Sequence, residues 1–116
     1  MTDEEMTWEE FDDACRQIAQ WMKPLHLRNI YGIPRGGLVV AVRLSHLTNL
    51  PLLLEEHEIR YDTLIVDDIC DSGNTLRRWA GFHTAVLYKW TESAGVPGFW
   101  IYEKQKRWIV FPWERP

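Results

Sequence analysis

The stretch Leu64-Ile65-Val66-Asp67-Asp68-Ile69-Cys70-Asp71-Ser72-Gly73-Asn74-Thr75-Leu76 constrains this chain more than any other. An apolar run delivers two adjacent carboxylates, a third follows, and a short Ser-Gly-Asn-Thr turn leads into apolar Leu76. The run predicts a buried strand. A strand ending in Asp-Asp puts costly charge at the carboxyl edge of a sheet, where α/β proteins bind ligands. The turn offers hydroxyls and bare backbone N–H groups at a helix start, a site suited to a phosphate. Acids beside a phosphate cradle point to a ligand with both hydroxyls and phosphates, with Mg²⁺ between them. The plain alternative is a strand followed by an ordinary Asp-Ser-Gly turn.

Other elements fall around this one. Thr7 and Glu10 have capping-box spacing, and apolar residues from Trp8 to Met22 recur at helical intervals until Pro24. Asn29-Ile30-Tyr31-Gly32-Ile33 reads as a strand, Leu38 to Leu47 as a helix, Leu52-Leu53-Leu54 and Thr63 to Asp67 as strands. A helix is expected from Asn74 or Thr75 to Ala80, ending at Gly81, and a strand from His83 to Lys89. Helices alternating with strands predict an α/β fold: a mainly parallel sheet with helices on both faces. Near the end, Phe99-Trp100-Ile101-Tyr102 and Trp108-Ile109-Val110-Phe111 form either an antiparallel hairpin or separate edge strands, a small C-terminal hood. With 116 residues and no linker or repeat, residues 1–116 read as one compact domain.

Composition excludes some functions. The formal charge is −4 and no dense basic run exists, which argues against nucleic acid as a partner. Arg77-Arg78 is most simply a solvated helix face. No apolar stretch approaches the roughly 20 residues that span a bilayer, so no membrane partner is expected and the chain reads as cytoplasmic. Cys15 and Cys70 lack metal-ligand spacing and read as free thiols. Seven Trp is many for this length. They can fill a small core, form a subunit interface or stack on a flat ligand.

The Asp67–Thr75 run resembles the phosphoribosyl pyrophosphate (PRPP) motif of the type I phosphoribosyltransferases. There a hydrophobic strand leads into two acids, a spacer and Asp-Thr/Ser-Gly-x-Thr. The resemblance implies that Asp67 and Asp68 face the ribose hydroxyls, directly or through Mg²⁺ and its waters. It implies that Asp71, Ser72, Gly73, Asn74 and Thr75 hold the 5′-phosphate. Gly32-Ile33-Pro34-Arg35-Gly36-Gly37, between a strand and a helix, is by itself an ordinary connection. It lacks the residues of a Walker A loop or a dinucleotide fingerprint. Beside the PRPP motif it resembles the family's pyrophosphate loop, with Arg35, Gly36 and Gly37 as its binding residues. That loop often holds a non-proline cis peptide, which here would precede Arg35.

Lys89 at a strand end and the string Trp108-Ile109-Val110-Phe111-Pro112-Trp113-Glu114 resemble the 6-oxopurine branch, the xanthine-guanine and hypoxanthine enzymes. The resemblance implies that Lys89 meets the purine oxygen, Trp108 stacks on the base and the Ile109 backbone reads its edge. Solvated and packing roles are the plain alternatives for Lys89 and Trp108, and Trp113 reads as packing. The implied reaction transfers ribose 5-phosphate from PRPP to N9 of guanine, xanthine or hypoxanthine. It releases pyrophosphate and a nucleoside monophosphate, with Asp71 as the catalytic carboxylate near purine N7 and Mg²⁺ as cofactor. Family habit and the aromatic residues suggest a homodimer. One departure stands out: only Glu55 to Asp62 separates Leu54 from Thr63, where the family carries a long mobile loop. That shortening keeps open a non-catalytic PRPP- or nucleotide-binding regulatory protein, and the base could instead be a pyrimidine.

Overall fold

The computed structural model describes residues 3–72, 74–93 and 95–114, and Thr75 by its backbone alone. In chain order the elements are β1 (Glu4–Glu5), α1 (Trp8–Met22), β2 (Asn29–Gly32), α2 (Gly36–Thr48), β3 (Leu52–Leu53), β4 (Thr63–Cys70), α3 (Asn74–Arg77), β5 (His83–Trp90), β6 (Phe99–Lys104) and β7 (Ile109–Val110). The capping box forms as the sequence predicts. The Glu10 N–H donates to Thr7 Oγ1 at 3.0 Å and the Thr7 N–H to Glu10 Oε1 at 2.9 Å. Phe11, Ala14, Cys15, Ile18 and Met22 form the buried stripe of α1.

The α/β fold is present. Five strands form one parallel sheet in the order β3-β2-β4-β5-β6. Its core strands are near-continuous apolar runs, as a sheet covered on both sides requires: Leu64, Ile65, Val66, Ala85, Val86 and Leu87 are all fully buried. Helical cover is unequal. Helices α1 and α2 pack together onto the cluster around Ile30, Leu64, Val66, Ala85 and Leu87. A smaller cluster of Cys70, Leu76 and Val86, with Ile33 and Trp100, lies at the one-turn helix α3.

Two elements differ from the sequence reading. Helix α3 stops at Arg77 instead of Ala80. The chain continues as a turn, with the Trp79 N–H on Leu76 C=O and the Ala80 N–H on Arg77 C=O, until Gly81 at φ 91°. Leu76 is the one buried residue of this short segment among those described, and so small an apolar face does not sustain a longer helix. The strand carrying the acids does not end at Asp67 but runs on to Cys70. Of the two arrangements left open for the aromatic strings near the end, the structure has separate strands. β6 joins the main sheet, and β7 pairs in parallel with β1 in a second, two-stranded sheet.

The topology makes a crevice. From β2 the chain turns through α2 to β3 on one side; from β4 it turns through α3 to β5 on the other. Neighbouring strands whose chains leave in opposite directions open a gap at their carboxyl ends. β2 stops pairing at Gly32, opposite Val66, whereas β4 continues beside β5 as far as Cys70 opposite Lys89. Asp67 and Asp68 thus lie inside a strand, yet beyond the last β2 pair.

Candidate functional site

Two clefts meet over this gap. The first, about 760 Å³, is lined by Pro34, Arg35, Gly36, Val39, Asp67, Asp68, Trp113 and Glu114. The second, about 390 Å³, includes Asp68, Asp71, Lys106, Arg107, Trp108, Ile109 and Glu114. Asp68 and Glu114 line both.

The acid pair is locally self-ordered. The Asp68 N–H donates to Asp67 Oδ1 at 2.8 Å, and the Ile69 N–H to Asp68 Oδ1 at 2.8 Å. Burial, then the hydrogen bond and charge of the neighbouring Asp68, push the Asp67 carboxyl up to about 8. Two carboxylates forced together in a partly dry cleft call for a compensating cation. Among the described residues no three metal-ligating side chains converge. An ion here would therefore take the Asp67–Asp68 carboxylates together with oxygens from a ligand and water, a donor set that suits Mg²⁺.

The loop after β2 faces these acids. The Pro34–Arg35 peptide is cis, at the position that the family resemblance indicates. Arg35 is exposed at the start of α2, with no capping hydrogen bond from its side chain. A Cβ at Gly36 would overlap the Asp68 carboxylate, so only glycine lets loop and acid approach this closely. Gly37 departs from its expected part. It is buried and its N–H already donates to Ile33 C=O at 2.9 Å, which takes that donor away from a ligand. Its role is to let α2 start against β4.

Beyond the strand, Asp71 and Ser72 are exposed, and Ser72 Oγ accepts the Asn74 N–H at 3.2 Å. Gly73 and the Thr75 side chain, both expected in the phosphate cradle, lie outside the described residues. Asp71 faces Lys106 Nζ at 3.4 Å. The tail delivers Trp108 to the same cleft as a residue 69% exposed, open to stacking. Ile109 beside it is buried. Glu4 N–H donates to Trp108 C=O at 2.9 Å, and Glu4 stands opposite Ile109 in the β1–β7 pair. In a parallel ladder this register turns Ile109's own N–H and C=O away from β1.

Lys89 is not brought to this cleft. It is buried, its ammonium donates to Trp90 C=O at 3.2 Å and it stands 5.6 Å from the Trp100 ring centre. A buried ammonium needs partners, and this carbonyl and ring face supply them on another side of the strand end. Trp113 packs as expected, stacked on Phe111 at 4.7 Å and edge-on to Phe11 at 5.4 Å. Its edge also lines the first cleft. Sequence reasoning missed Lys106, Arg107 and Glu114. The basic pair directly before Trp108 was a readable signal. Glu114 was not, because it reaches the clefts through the turn Pro112–Glu114, where its Oε1 accepts the Phe111 N–H at 2.9 Å.

Known proteins share this arrangement. No protein-family profile matches the chain. A xanthine-guanine phosphoribosyltransferase of Idiomarina loihiensis is 29% identical, covering 94% of this chain and 85% of the relative. One from Vibrio atlanticus is 25% identical, covering 94% and 87%. Its alignment spans 134 positions, more than the 116 residues here, so that relative carries stretches with no counterpart in this chain. The crystal structure of a purine phosphoribosyltransferase from Pyrococcus horikoshii superposes with a TM-score of 0.83 at 28% identity, covering 99% of this chain and 95% of that one. The chain has the type I phosphoribosyltransferase fold and is a homologue of the xanthine-guanine phosphoribosyltransferases.

Proposed function

We propose that the protein transfers ribose 5-phosphate from PRPP to N9 of a 6-oxopurine (guanine, xanthine or hypoxanthine) and releases pyrophosphate. The observation that carries this reading is the sharing of Asp68 between two chemically different clefts. One has acids and an Arg–Gly loop, suited to a phosphorylated sugar. The other has an exposed indole and a strand backbone, suited to a flat heterocycle. The bond between sugar and base would form where they meet.

The residues divide the work. Asp67 and Asp68 accept the ribose hydroxyls, and their negative field favours the cationic sugar that a dissociative glycosyl transfer develops. Arg35 and the Gly36 backbone take the pyrophosphate, and Arg35 offsets its charge as the bond from C1 to oxygen breaks. Ser72 and Asn74 take the 5′-phosphate, with Asp71, Gly73 and Thr75 assigned to it by the motif alone. Asp67 and Asp68, together with ligand oxygens and water, would hold Mg²⁺, which would supply further charge neutralisation of the phosphates. Trp108 stacks on the base, and the free edge of the Ile109 backbone reads it. Asp71 receives the proton that N7 gives up as N9 bonds to C1. That proton moves as the bond forms, when the positive charge developing on the purine makes N7 acidic enough to give it up.

The short connection from Leu54 to Thr63 does not weigh against catalysis. The Pyrococcus protein, named as a purine phosphoribosyltransferase, is covered over 95% of its length by this chain. A non-catalytic regulatory role is accordingly disfavoured. The test supplies PRPP and Mg²⁺ with each of the three purines and follows pyrophosphate and nucleotide. Turnover with at least one purine is expected. PRPP binding without turnover on any of them would overturn the enzyme reading.

A further inference from the structure

The tail that presents Trp108 and Ile109 is outside the main sheet. β7 is two residues long and pairs with β1, also two residues. Two short strands alone do not hold together in water. A slip of one residue would also exchange the faces of exposed Trp108 and buried Ile109, since side chains alternate along a strand. Some feature must fix both attachment and register.

Glu4 has the position for this. Its N–H donates to Trp108 C=O at 2.9 Å, and the Met6 N–H two residues on donates to Val110 C=O at 3.0 Å. Its carboxylate collects charged and polar groups from three other elements. Oε2 receives Lys104 Nζ from β6 and faces the Tyr88 hydroxyl of β5 at 3.4 Å. Oε1 receives Arg107 Nη1 at 3.4 Å, from the residue directly before Trp108. The Glu4 side chain is only 20% exposed, so these contacts are sheltered from water. Burial, then the Glu4 charge, raise the Tyr88 phenol, which therefore stays a donor. Without the carboxylate, Lys104 and Arg107 would both lose their shared anionic partner in a half-dry site. Met6 beside it is fully buried and anchors the strap.

The geometry points to Glu4 as the positioning residue of the base cleft. It is a register key that ties β1, β5 and β6 to the segment Arg107–Ile109, so that Trp108 faces the ligand and Ile109 the core. A single polar group fixing register at some cost in stability is a known use of sheltered charge. This inference rests on the second cleft being the purine site, and the test separates the two ideas.

The experiment compares the full chain with Glu4→Gln by steady-state kinetics and by amide hydrogen exchange. KM for the purine should rise about tenfold, between the small worth of an exposed ion pair and the roughly 10²-fold cost of an ångström-scale misplacement. KM for PRPP and kcat should stay within about twofold, since neither the acid pair nor the Arg35 loop touches Glu4. The Met6 amide should exchange faster while amides of β4 and β5 keep their protection. If Glu4→Gln does not fold, Lys104→Gln removes one arm of the same hub and is read the same way. Unchanged Met6 exchange overturns the inference. So does an equal rise in both KM values, or loss of protection throughout the core, which would mark general destabilisation. If the unaltered protein turns over no purine, the functional reading falls, while the exchange measurement still decides the role of Glu4.

Discussion

The two clefts share Asp68 but are built by opposite means. The first rests on the centre of the parallel sheet. Its acids project from β4, next to fully buried Ile65 and Val66, and its loop closes against them so tightly that Gly36 has no room for a Cβ. The second rests on the tail, a two-residue strand held by another two-residue strand and one sheltered carboxylate. Local stability follows buried contacts and protected hydrogen bonds, so the first cleft is the rigid part and the second the adjustable one. On the proposed function, a rigid frame would hold the sugar and phosphates, and a base-reading edge that can change separately would let one fold serve different bases.

The strongest test lies in the second cleft, at Asp71. Asp71→Asn should lower kcat by about 10²–10⁴-fold, the range for losing a general base, while binding of both substrates largely survives. Normal turnover by that variant would remove Asp71 from proton transfer. Next in size is Gly36→Ala. The added methyl meets the Asp68 carboxylate, which is itself tied to the Ile69 N–H, so loop or acid must shift. KM for PRPP should rise about ten- to hundredfold, with purine binding to the second cleft little changed. Isothermal titration with each substrate checks this, and an equal loss of both affinities would show that the clefts are not separable. Trp108→Ala is the mirror experiment. Loss of one stacking face is worth about 1–3 kcal/mol, so purine affinity should fall roughly 5- to 150-fold while PRPP affinity holds.

The contrast also explains what could be read from the sequence. The rigid cleft was legible because its parts are local. An apolar run, an acid pair and a Gly-rich connection each keep their meaning within a few residues, and the sheet topology then brings them together. Even there the strand end was misplaced by three residues. The reason is pairing: β4 extends because β5 accompanies it beyond the point where β2 leaves, and that depends on a partner distant in sequence. The second cleft was legible only in Asp71 and in Trp108-Ile109. Glu4 and Ile109 are far apart in the chain, and nothing in Asp3-Glu4-Glu5 distinguishes it from an ordinary acidic stretch. Lys89 lies at the strand end where the sequence puts it, and its contacts with Trp90 C=O and the Trp100 ring could not be read from the sequence. The other Trp residues mostly reinforce the frame. Trp21 stacks on Phe99 at 5.0 Å, and Trp79 packs on Phe82 at 5.7 Å and lies 6.4 Å from Tyr31. Trp108, by contrast, is left open at the cleft.

The smallest expected effect probes the rigidity of the first cleft without any substrate. Burial and the adjacent Asp68 push the Asp67 carboxyl from its ordinary 3.8 up to about 8. The folded protein therefore holds a proton that the unfolded chain has already lost across that window. Proton linkage then makes the free protein less stable as pH rises from about 4 towards 8, with no further change from this group above it. Asp67 is only half-buried, which keeps the effect modest. Urea midpoints measured across the window, without divalent cations, should fall with pH more steeply for the unaltered chain than for Asp67→Asn. PRPP with Mg²⁺ should flatten the difference, because a cation beside the pair favours the ionised form that burial opposes. Identical slopes for the two proteins would mean that water reaches the acid pair freely. The first cleft would then be as loosely built as the second, and the division between a rigid sugar site and an adjustable base site would fail.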